Sequence, residues 1–560
     1  MSDLDRALQQ YLSGSVSRRD LVRRLLSLGV GMGFVETLLG PGIGKALAAP
    51  DPRRFPSHAP YVVLVVMDAF RADYEQLTPM PNLRWLMDQG TSFPNAWVGQ
   101  LESYTPTGHA TLSTGATPSH DGVIGFSWRD PKTGKEAYTA WWDGVMSGRL
   151  EAQLTQHGVN SIPQAMKRQD PHARVVALSS EKYYAADAMG GAAADYIIFG
   201  QPMGKRIVTR GIPHHLPPQS FLKKRSLSRT WPLTYGQFDE MAMTMALESL
   251  ASLDPRLLMI NLPGADIYGH RVGGPASPDV MRKIAAAADA QLGRLIAELR
   301  RRGMFDQTIF VVTADHGMVG NTFQLDDTVI KNAIADAGGQ YLFHVGGNSA
   351  YIWLKNPHAA GAVAQKMVDA FPTLPLYRSA DSLTVAFAHF QTFDSGQYTY
   401  HPVVPTGTEV DPELEKAYQY LLHTMAGPIA PDIALWFQEN TITSHNPNVH
   451  GEHGGGTWGA QHIPLVIAGP GVQGGMESSF PARLVDVAPT VLTLLGIQPD
   501  RMDGVVLADA LSRPTDQQQS AQDHLATSLK EYQAALMARS KADIAQQSGD
   551  STPPPKQASG

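Results

Sequence analysis

The chain has 560 residues, 43% of them hydrophobic and 17% charged, with a formal net charge of −7 and no cysteine. That length builds one large α/β domain with insertions, or two domains. The negative balance excludes a general nucleic-acid binder, which needs a basic face, and the missing cysteine excludes disulfides, thiolate metal sites and thiol nucleophiles.

The first segment reads as an export signal. Ser17-Arg18-Arg19-Asp20-Leu21-Val22 is a twin-arginine pattern, followed by an apolar stretch from Leu25 to Leu39 and the small-residue site Ala46-x-Ala48. Pair, apolar run and cleavage site in that order predict a signal over residues 1–48, handled by the twin-arginine export machinery. An amphipathic helix that happens to carry the arginine pair is the alternative. No other segment approaches the roughly 18 apolar residues that cross a bilayer. The expectation is a periplasmic or extracellular mature protein with no membrane span after signal removal.

Residues 56–320 alternate strand-like and helical stretches. Tyr61–Met67 (YVVLVVM), Arg174–Leu178, Tyr196–Phe199, Leu257–Leu262 (LLMINL) and Thr308–Ala314 (TIFVVTA) are short, β-branched runs bounded by Gly, Pro or Asp, which predicts buried parallel strands. Asp279–Arg302 carries Met281, Ile284, Ala288, Leu292 and Leu295 at helical spacing. The rhythm breaks over residues 321–444. There Ala350–Leu354 reads as a strand and His358–Phe371 and Glu413–Met425 as helices, so this stretch is expected to be an inserted cap or subdomain. The core pattern resumes over 445–511, with a strand at Ile463–Ala468 and a helix at Leu484–Gly496. The tail, 512–560, is polar and Gln-rich. A helix is expected over Ala521–Met537, and disorder from Thr552-Pro553-Pro554-Pro555 onwards. No internal repeat is visible.

The chemistry sits at the ends of the apolar runs. The first stops at Asp68. The second passes through Pro-Gly-Ala to Asp266, with His270 four residues on, and the third stops at Asp315-His316-Gly317. In an open α/β sheet, ligands bind beyond the carboxyl ends of the strands. Three acids and two histidines at that edge suggest a metal site. Carboxylate and imidazole without thiolate suit zinc or another borderline divalent ion, and Asp266 and His270 at i, i+4 can face one ion. Taken alone, Asp68 reads as a turn or cap aspartate and Asp315-His316 as a capping pair; only the joint pattern favours metal. Between the first two runs lies Tyr104-Thr105-Pro106-Thr107-Gly108-His109, a candidate nucleophile loop.

Val66-Met67-Asp68, Thr105-x-x-Gly108-His109, Asp266-x-x-x-His270, Thr313-Ala314-Asp315-His316-Gly317 and His453-Gly454 occur in an order that resembles the alkaline phosphatase superfamily, in its type I phosphodiesterase/nucleotide pyrophosphatase branch. The resemblance covers most of residues 58–320 and 445–498. It implies a doubly wound, mostly parallel central sheet with helices on both faces, and two divalent metals, usually zinc. One metal falls to Asp68, Asp315, His316 and the Thr105 oxygen; the other falls to Asp266, His270 and His453. His450-Gly451 is the fallback for His453-Gly454, and His462 is expected beside the site or packed at a strand entrance. The resemblance makes Thr105 the nucleophile, four residues before His109, with Thr107 as a rival. His109 and Thr111 are expected to support or pack. Coordination to a cation turns a poor hydroxyl nucleophile into a good one. Two in-line displacements through a phosphothreonine then hydrolyse a small phosphate ester.

The chain departs from that family at two places. Phe126 stands where many relatives carry an asparagine that donates to a phosphate oxygen, with Ser127 as a substitute donor. Where some monoesterases carry Lys-x-Arg, the text is Ser179-Ser180-Glu181-Lys182-Tyr183-Tyr184, and Lys182 is its only cation. Fewer donors, with Phe126, Trp128, Trp141 and Trp142 nearby, favour diesters over monoesters, although such aromatics more often belong to a core. The expected function is therefore a secreted two-metal phosphodiesterase or nucleotide pyrophosphatase. An alkaline phosphomonoesterase is the alternative, a non-catalytic metal-binding scaffold a further one, and a sulfatase is disfavoured by the threonine loop.

Overall fold

The computed structural model describes residues 61–200, 207–210, 235–370, 385–407, 411–444 and 446–548. The twin-arginine segment, the Pro-rich end and His445 lie outside them. Nine strands form the central sheet: β1 (Tyr61–Met67), β2 (Gly90–Ser92), β3 (Val175–Ser179), β4 (Tyr196–Gly200), β5 (Ile207–Arg210), β6 (Leu257–Leu262), β7 (Thr308–Thr313), β8 (Leu465–Ala468) and β9 (Met476–Glu477). Their order across the sheet is β9-β2-β8-β7-β1-β6-β3-β4-β5. The central run β7-β1-β6-β3-β4 is parallel throughout, while β8 and β5 pair antiparallel with their neighbours. Every residue of β3, β6 and β7 is buried. Strands covered on both faces need apolar side chains on both, so their sequences run apolar without alternation.

Register explains why the strand ends converge. Met67 lies opposite Leu262 and Val66 opposite Thr313. Asp68, Asp315 and the helix after β6 therefore leave the sheet at one level. Ser179 lies opposite Asn261 on the next strand out, which carries the Lys182 loop to the same edge. Helices pack around this sheet. One of them, Pro278–Arg301, buries Met281, Ile284, Ala288, Leu292 and Leu295, the residues of its apolar stripe.

The stretch after β7 holds a second sheet, five-stranded and antiparallel, ordered 341–346, 349–354, 433–437, 385–394, 397–403. Its core gathers Ile352, Leu354 and Leu435 with Ile330, Ile334, Val363 and Met367 from the helices Asp327–Asp336 and Ala360–Ala370. The C-terminal helix spans Asp516–Ser548, 33 residues, longer at both ends than its sequence periodicity indicates. Its buried positions are Gln522, Leu529, Gln533, Leu536, Ser540 and Asp543, so polar residues extend the face that the two leucines begin. Among the described residues no helix is long and apolar enough to cross a membrane.

Candidate active site

Asp68, Asp315 and Asp266, the last in the first turn of the helix Gly264–Val272, each have one carboxylate oxygen held and one left over. Asp68 Oδ2 accepts from Asn261 Nδ2 at 2.7 Å. Asp315 Oδ1 accepts from the Ala69 N–H at 3.1 Å, where Ala69 takes a left-handed φ of 57° directly after β1. Asp266 Oδ2 bonds to Lys182 Nζ. The other oxygens, Asp68 Oδ1, Asp315 Oδ2 and Asp266 Oδ1, are buried and accept no well-oriented hydrogen bond. A buried acceptor left without a hydrogen bond is costly, and three such carboxylate oxygens in one place call for a cation.

The histidines meet those oxygens. His316 Nδ1 donates to the Gly317 carbonyl at 2.9 Å, so Nε2 carries the lone pair. It lies 3.2 Å from Asp315 Oδ2, 3.6 Å from Asp68 Oδ1 and 3.1 Å from Thr105 Oγ1. His453 Nδ1 donates to the Ser103 carbonyl at 2.9 Å and His270 Nδ1 to the Gly451 carbonyl at 2.8 Å. Their Nε2 atoms stand 3.4 and 3.2 Å from Asp266 Oδ1. A backbone carbonyl on one ring nitrogen, leaving the other for an ion, is how proteins orient metal-binding imidazoles. His316 and His453 stack with centroids 3.6 Å apart, which joins the two groups. Groups able to hold an ion are Asp266-His316-His453, His270-Glu452-His453 and Asp68-His109-Asp315.

The electrostatics describe a site short of positive charge. Burial, then Asp315, push the Asp68 carboxyl well above its usual range. Burial works the same way on Asp266, but Lys182 and then His270 overcome it and hold that carboxyl well below. Asp315 is likewise buried, and His316 and His109 bring it down. Burial, against the pull of Asp315, lowers the His316 imidazole to about 3. His270 goes the other way, to about 9: burial opposes the charge, and Asp266 and Glu452 stabilise it.

Residues 62–455 match the family described as Type I phosphodiesterase / nucleotide pyrophosphatase. The chain belongs to that family. Alkaline phosphatase PhoK of a Sphingomonas species is 26% identical over 328 residues, 49% of this chain and 56% of that protein. The chain thus spans about half the length of the curated relatives it matches. The fold is that of the solved alkaline phosphatase PafA (TM-score 0.62, 16% identity, 81% of this chain and 99% of that one). It is also that of murine ectonucleotide pyrophosphatase/phosphodiesterase 5 (TM-score 0.53, 17% identity, 81% and 100%). This family comprises phosphoric ester hydrolases, and the sheet with its flanking helices is the alkaline-phosphatase architecture that the motif order implies.

Within this phosphodiesterase-family site, Thr105 opens the helix Thr105–Thr114, all ten residues of which are buried. Gly108 lets that helix approach the Asp315 turn: a Cβ there would lie 2.6 Å from the Asp315 carbonyl oxygen. Thr107 Oγ1 is occupied by the Gly125 N–H at 2.7 Å, and Thr111 donates to Gln100 Oε1 at 2.8 Å. His109 belongs to one ion-competent group, yet Nδ1 donates to the Thr105 carbonyl at 2.8 Å and Nε2 accepts from Asn261 at 3.0 Å. Both nitrogens are used, so it ties the Thr105 turn to the β6 end. His450 is in none of those groups among the described residues. His462 Nε2 pairs with the Pro94 carbonyl at 2.8 Å, and its ring stacks on Trp458.

Of the aromatic residues, Phe126 reaches the cluster through Tyr104 and Tyr184, while Trp142 packs on Tyr183 and Phe199 and Trp128 is buried. Phe126 stacks on Trp141 at 4.8 Å and meets Tyr184 and Tyr104 edge-on at 4.8 and 6.2 Å. Tyr104 in turn contacts the His453 ring at 5.5 Å. Trp141 is 46% exposed. Ser127 is buried, its Oγ accepting the Trp141 indole N–H at 3.2 Å. Lys182 lies inside the cluster on Asp266 and 5.5 Å from the Tyr184 ring centre.

Two contributors escape the motif reading. Asn261, inside β6, takes the Ser179 hydroxyl on Oδ1 at 2.7 Å while its amide serves Asp68 and His109. Its signal is a lone polar residue in a fully buried run. Glu452 Oε1 lies 3.6 Å from His270 Nδ1, with no signal beyond adjacency to His453.

Proposed function

We propose that the chain is an exported phosphoric ester hydrolase of phosphodiesterase type, with Thr105 as nucleophile and two divalent metals, zinc by the nature of the donors. The observation that carries this reading is the convergence of three unpartnered carboxylate oxygens with three oriented imidazoles and one threonine hydroxyl. Asp68, Asp315, His316 and Thr105 would hold one ion; Asp266, His270 and His453 would hold the other. When bound, such ions lower the pKa of a coordinated hydroxyl and neutralise charge on the phosphoryl oxygens.

The chain's residues do the rest. His109 and Pro106 fix the turn that presents Thr105 Oγ at the helix N-terminus, which itself favours phosphate oxygens. Thr105 Oγ gives up its proton to solvent and bonds to phosphorus as the bond to the leaving oxygen breaks, and that oxygen takes a proton from solvent. Water then attacks the phosphothreonine and returns Thr105 to its hydroxyl. Asn261 keeps Asp68 and His109 aligned through both steps. Thr107, spent on Gly125, is poorly placed to compete.

Diesters suit the site better than monoesters. Phe126 brings no donor to the phosphoryl oxygens, and the Phe126–Trp141 stack offers an apolar surface to a second ester group. Lys182 favours the monoesterase reading, because a cation at the cluster can meet the extra charge of a dianion. The cap over 321–444 reaches the site through Tyr104 OH, which donates to the Gly346 carbonyl at 2.9 Å, and Tyr351 OH, which donates to the Gly454 carbonyl at 2.6 Å. We assign it the shaping of the substrate entrance. The test is kcat/KM of the zinc-loaded protein on an aryl phosphate diester and the matching monoester. Diester preference is the expected result, and monoester preference transfers the assignment to Lys182. Activity on neither with both metals bound overturns the catalytic reading.

A further inference from the structure

The C-terminal helix makes an unusual contact. Near its end, Ser540 Oγ donates to Glu439 Oε2 at 2.6 Å and accepts from the Trp458 N–H at 3.0 Å. Glu439 Oε2 also accepts from the Gly459 N–H at 3.2 Å. Asp543 accepts from the Glu439 N–H at 2.9 Å, and Arg539 holds its other oxygen at 2.7 Å. Glu439, Ser540 and Asp543 are all buried.

Trp458 and Gly459 begin the short helix Trp458–Gln461, whose first amides need acceptors. Its own N-cap, Thr457, makes no capping hydrogen bond, because the hydroxyl is turned to Asn348 Oδ1. The acceptors come instead from Ser540 and Glu439. The other side of that short helix holds the turn after His316: Gly317 N–H donates to the Ala460 carbonyl at 2.8 Å and Met318 N–H to the Gly459 carbonyl at 3.1 Å. Arg71 Nη1 closes the arrangement on the Met318 carbonyl at 2.9 Å. The fit has no slack. A Cβ on Gly317 would lie 2.1 Å from the Gly459 carbonyl oxygen, and a Cβ on Gly459 would lie 2.2 Å from Glu439 Oε1.

We infer that Ser540, through Glu439 and the Trp458–Gly459 amides, is a positioning residue for His316, so that the C-terminal helix sets the metal affinity of the site. This rests on the reading of His316 as a metal ligand. His316 Nδ1 is oriented by the Gly317 carbonyl, and the Gly317 peptide is fixed by Ala460. A shift of the short helix therefore turns the imidazole. Loss of such outer partners typically weakens metal binding by about 10- to 100-fold.

The experiment measures zinc affinity of the full-length chain by competition with a chromophoric chelator. Four proteins are compared: wild type, Ser540→Ala, Ser540→Thr and Ser528→Ala, the last an exposed position on the same helix. Ser540→Ala is expected to weaken zinc binding about tenfold, with Ser540→Thr, which keeps the hydroxyl, and Ser528→Ala close to wild type. Wild-type affinity in Ser540→Ala overturns the inference. So does an equal loss in all three variants, which would trace the effect to helix stability rather than to the hydroxyl. A wild-type chain that binds no zinc overturns the metal reading, and this inference with it. Normal wild-type binding with an unaffected Ser540→Ala removes the brace alone.

Discussion

The two sheets of this protein use their polar residues in opposite ways. In the central sheet the buried strands are mostly apolar and the acids stand past their carboxyl ends, each with one oxygen unsatisfied. In the five-stranded sheet two buried titratable groups, Asp432 and His389, are paired off. Asp432, just before the strand Ile433–Phe437, takes both Arg129 guanidinium nitrogens at 2.8 Å and the Leu354 N–H at 2.7 Å. His389 receives the Trp436 indole N–H at 2.8 Å and reaches Glu415 at 3.1 Å. A satisfied polar network fixes a shape, whereas an unsatisfied one is poised for a ligand. The difference teaches that burial of a charge locates function only when its partners have been accounted for.

Substitutions can break that contrast. Thr105→Ala should have the largest effect, lowering kcat/KM for the preferred ester by about 10³-fold or more while the fold persists; near-wild-type turnover would end the nucleophile assignment. Next comes Asp266→Asn, expected to weaken zinc by at least about 100-fold in a chelator competition. Arg129→Met works in the other direction. It leaves the Asp432 carboxylate buried without its cation and should cost about 3–5 kcal/mol in urea unfolding, with zinc affinity unchanged. If Arg129→Met also released zinc, the two sheets would not divide their labour as described.

The smallest effect concerns pH. Burial raises the Glu75 carboxyl to about 7, with Arg84 pulling it down. Its folded value exceeds its unfolded one, so the folded state binds the proton more tightly. The stability this contributes is complete below about 4.5, declines as pH rises through about 7 and is level above. Glu75→Gln should flatten that part of the stability profile by about 1 kcal/mol, allowing for partial exposure. An unchanged slope from pH 4.5 to 7 would place the titration elsewhere.

Legibility in the sequence followed the same division. Asp68, Asp315 and Asp266 announce themselves because each interrupts or ends a run that burial forces to be apolar. The five central parallel strands and the helix Pro278–Arg301 are readable for the same reason. Asn261 hides inside its run, since one polar residue barely lowers a strand's apolar content. The strands Val385–Asp394 and Gln397–Val403 carry His389, Gln391, Thr392, Thr399 and His401 and so give no clear apolar signal. The docking face of the C-terminal helix is written in glutamine, serine and aspartate as much as in leucine, and hydrophobic periodicity cannot detect hydrogen bonds. Glu452 and Ser540 act across contacts that only tertiary structure creates.

The placement of β8 has a consequence for how the protein is made. Leu465–Ala468 wedges between β2 and β7 and pairs with one edge of each. During synthesis β7 emerges roughly 150 residues earlier, and at roughly 5–20 residues per second it waits about 8 to 30 seconds with one edge bare. An apolar strand with an unpaired edge is a template for aggregation. The nascent chain is therefore a natural client for a chaperone over that interval, and products that terminate before residue 465 should accumulate as insoluble material.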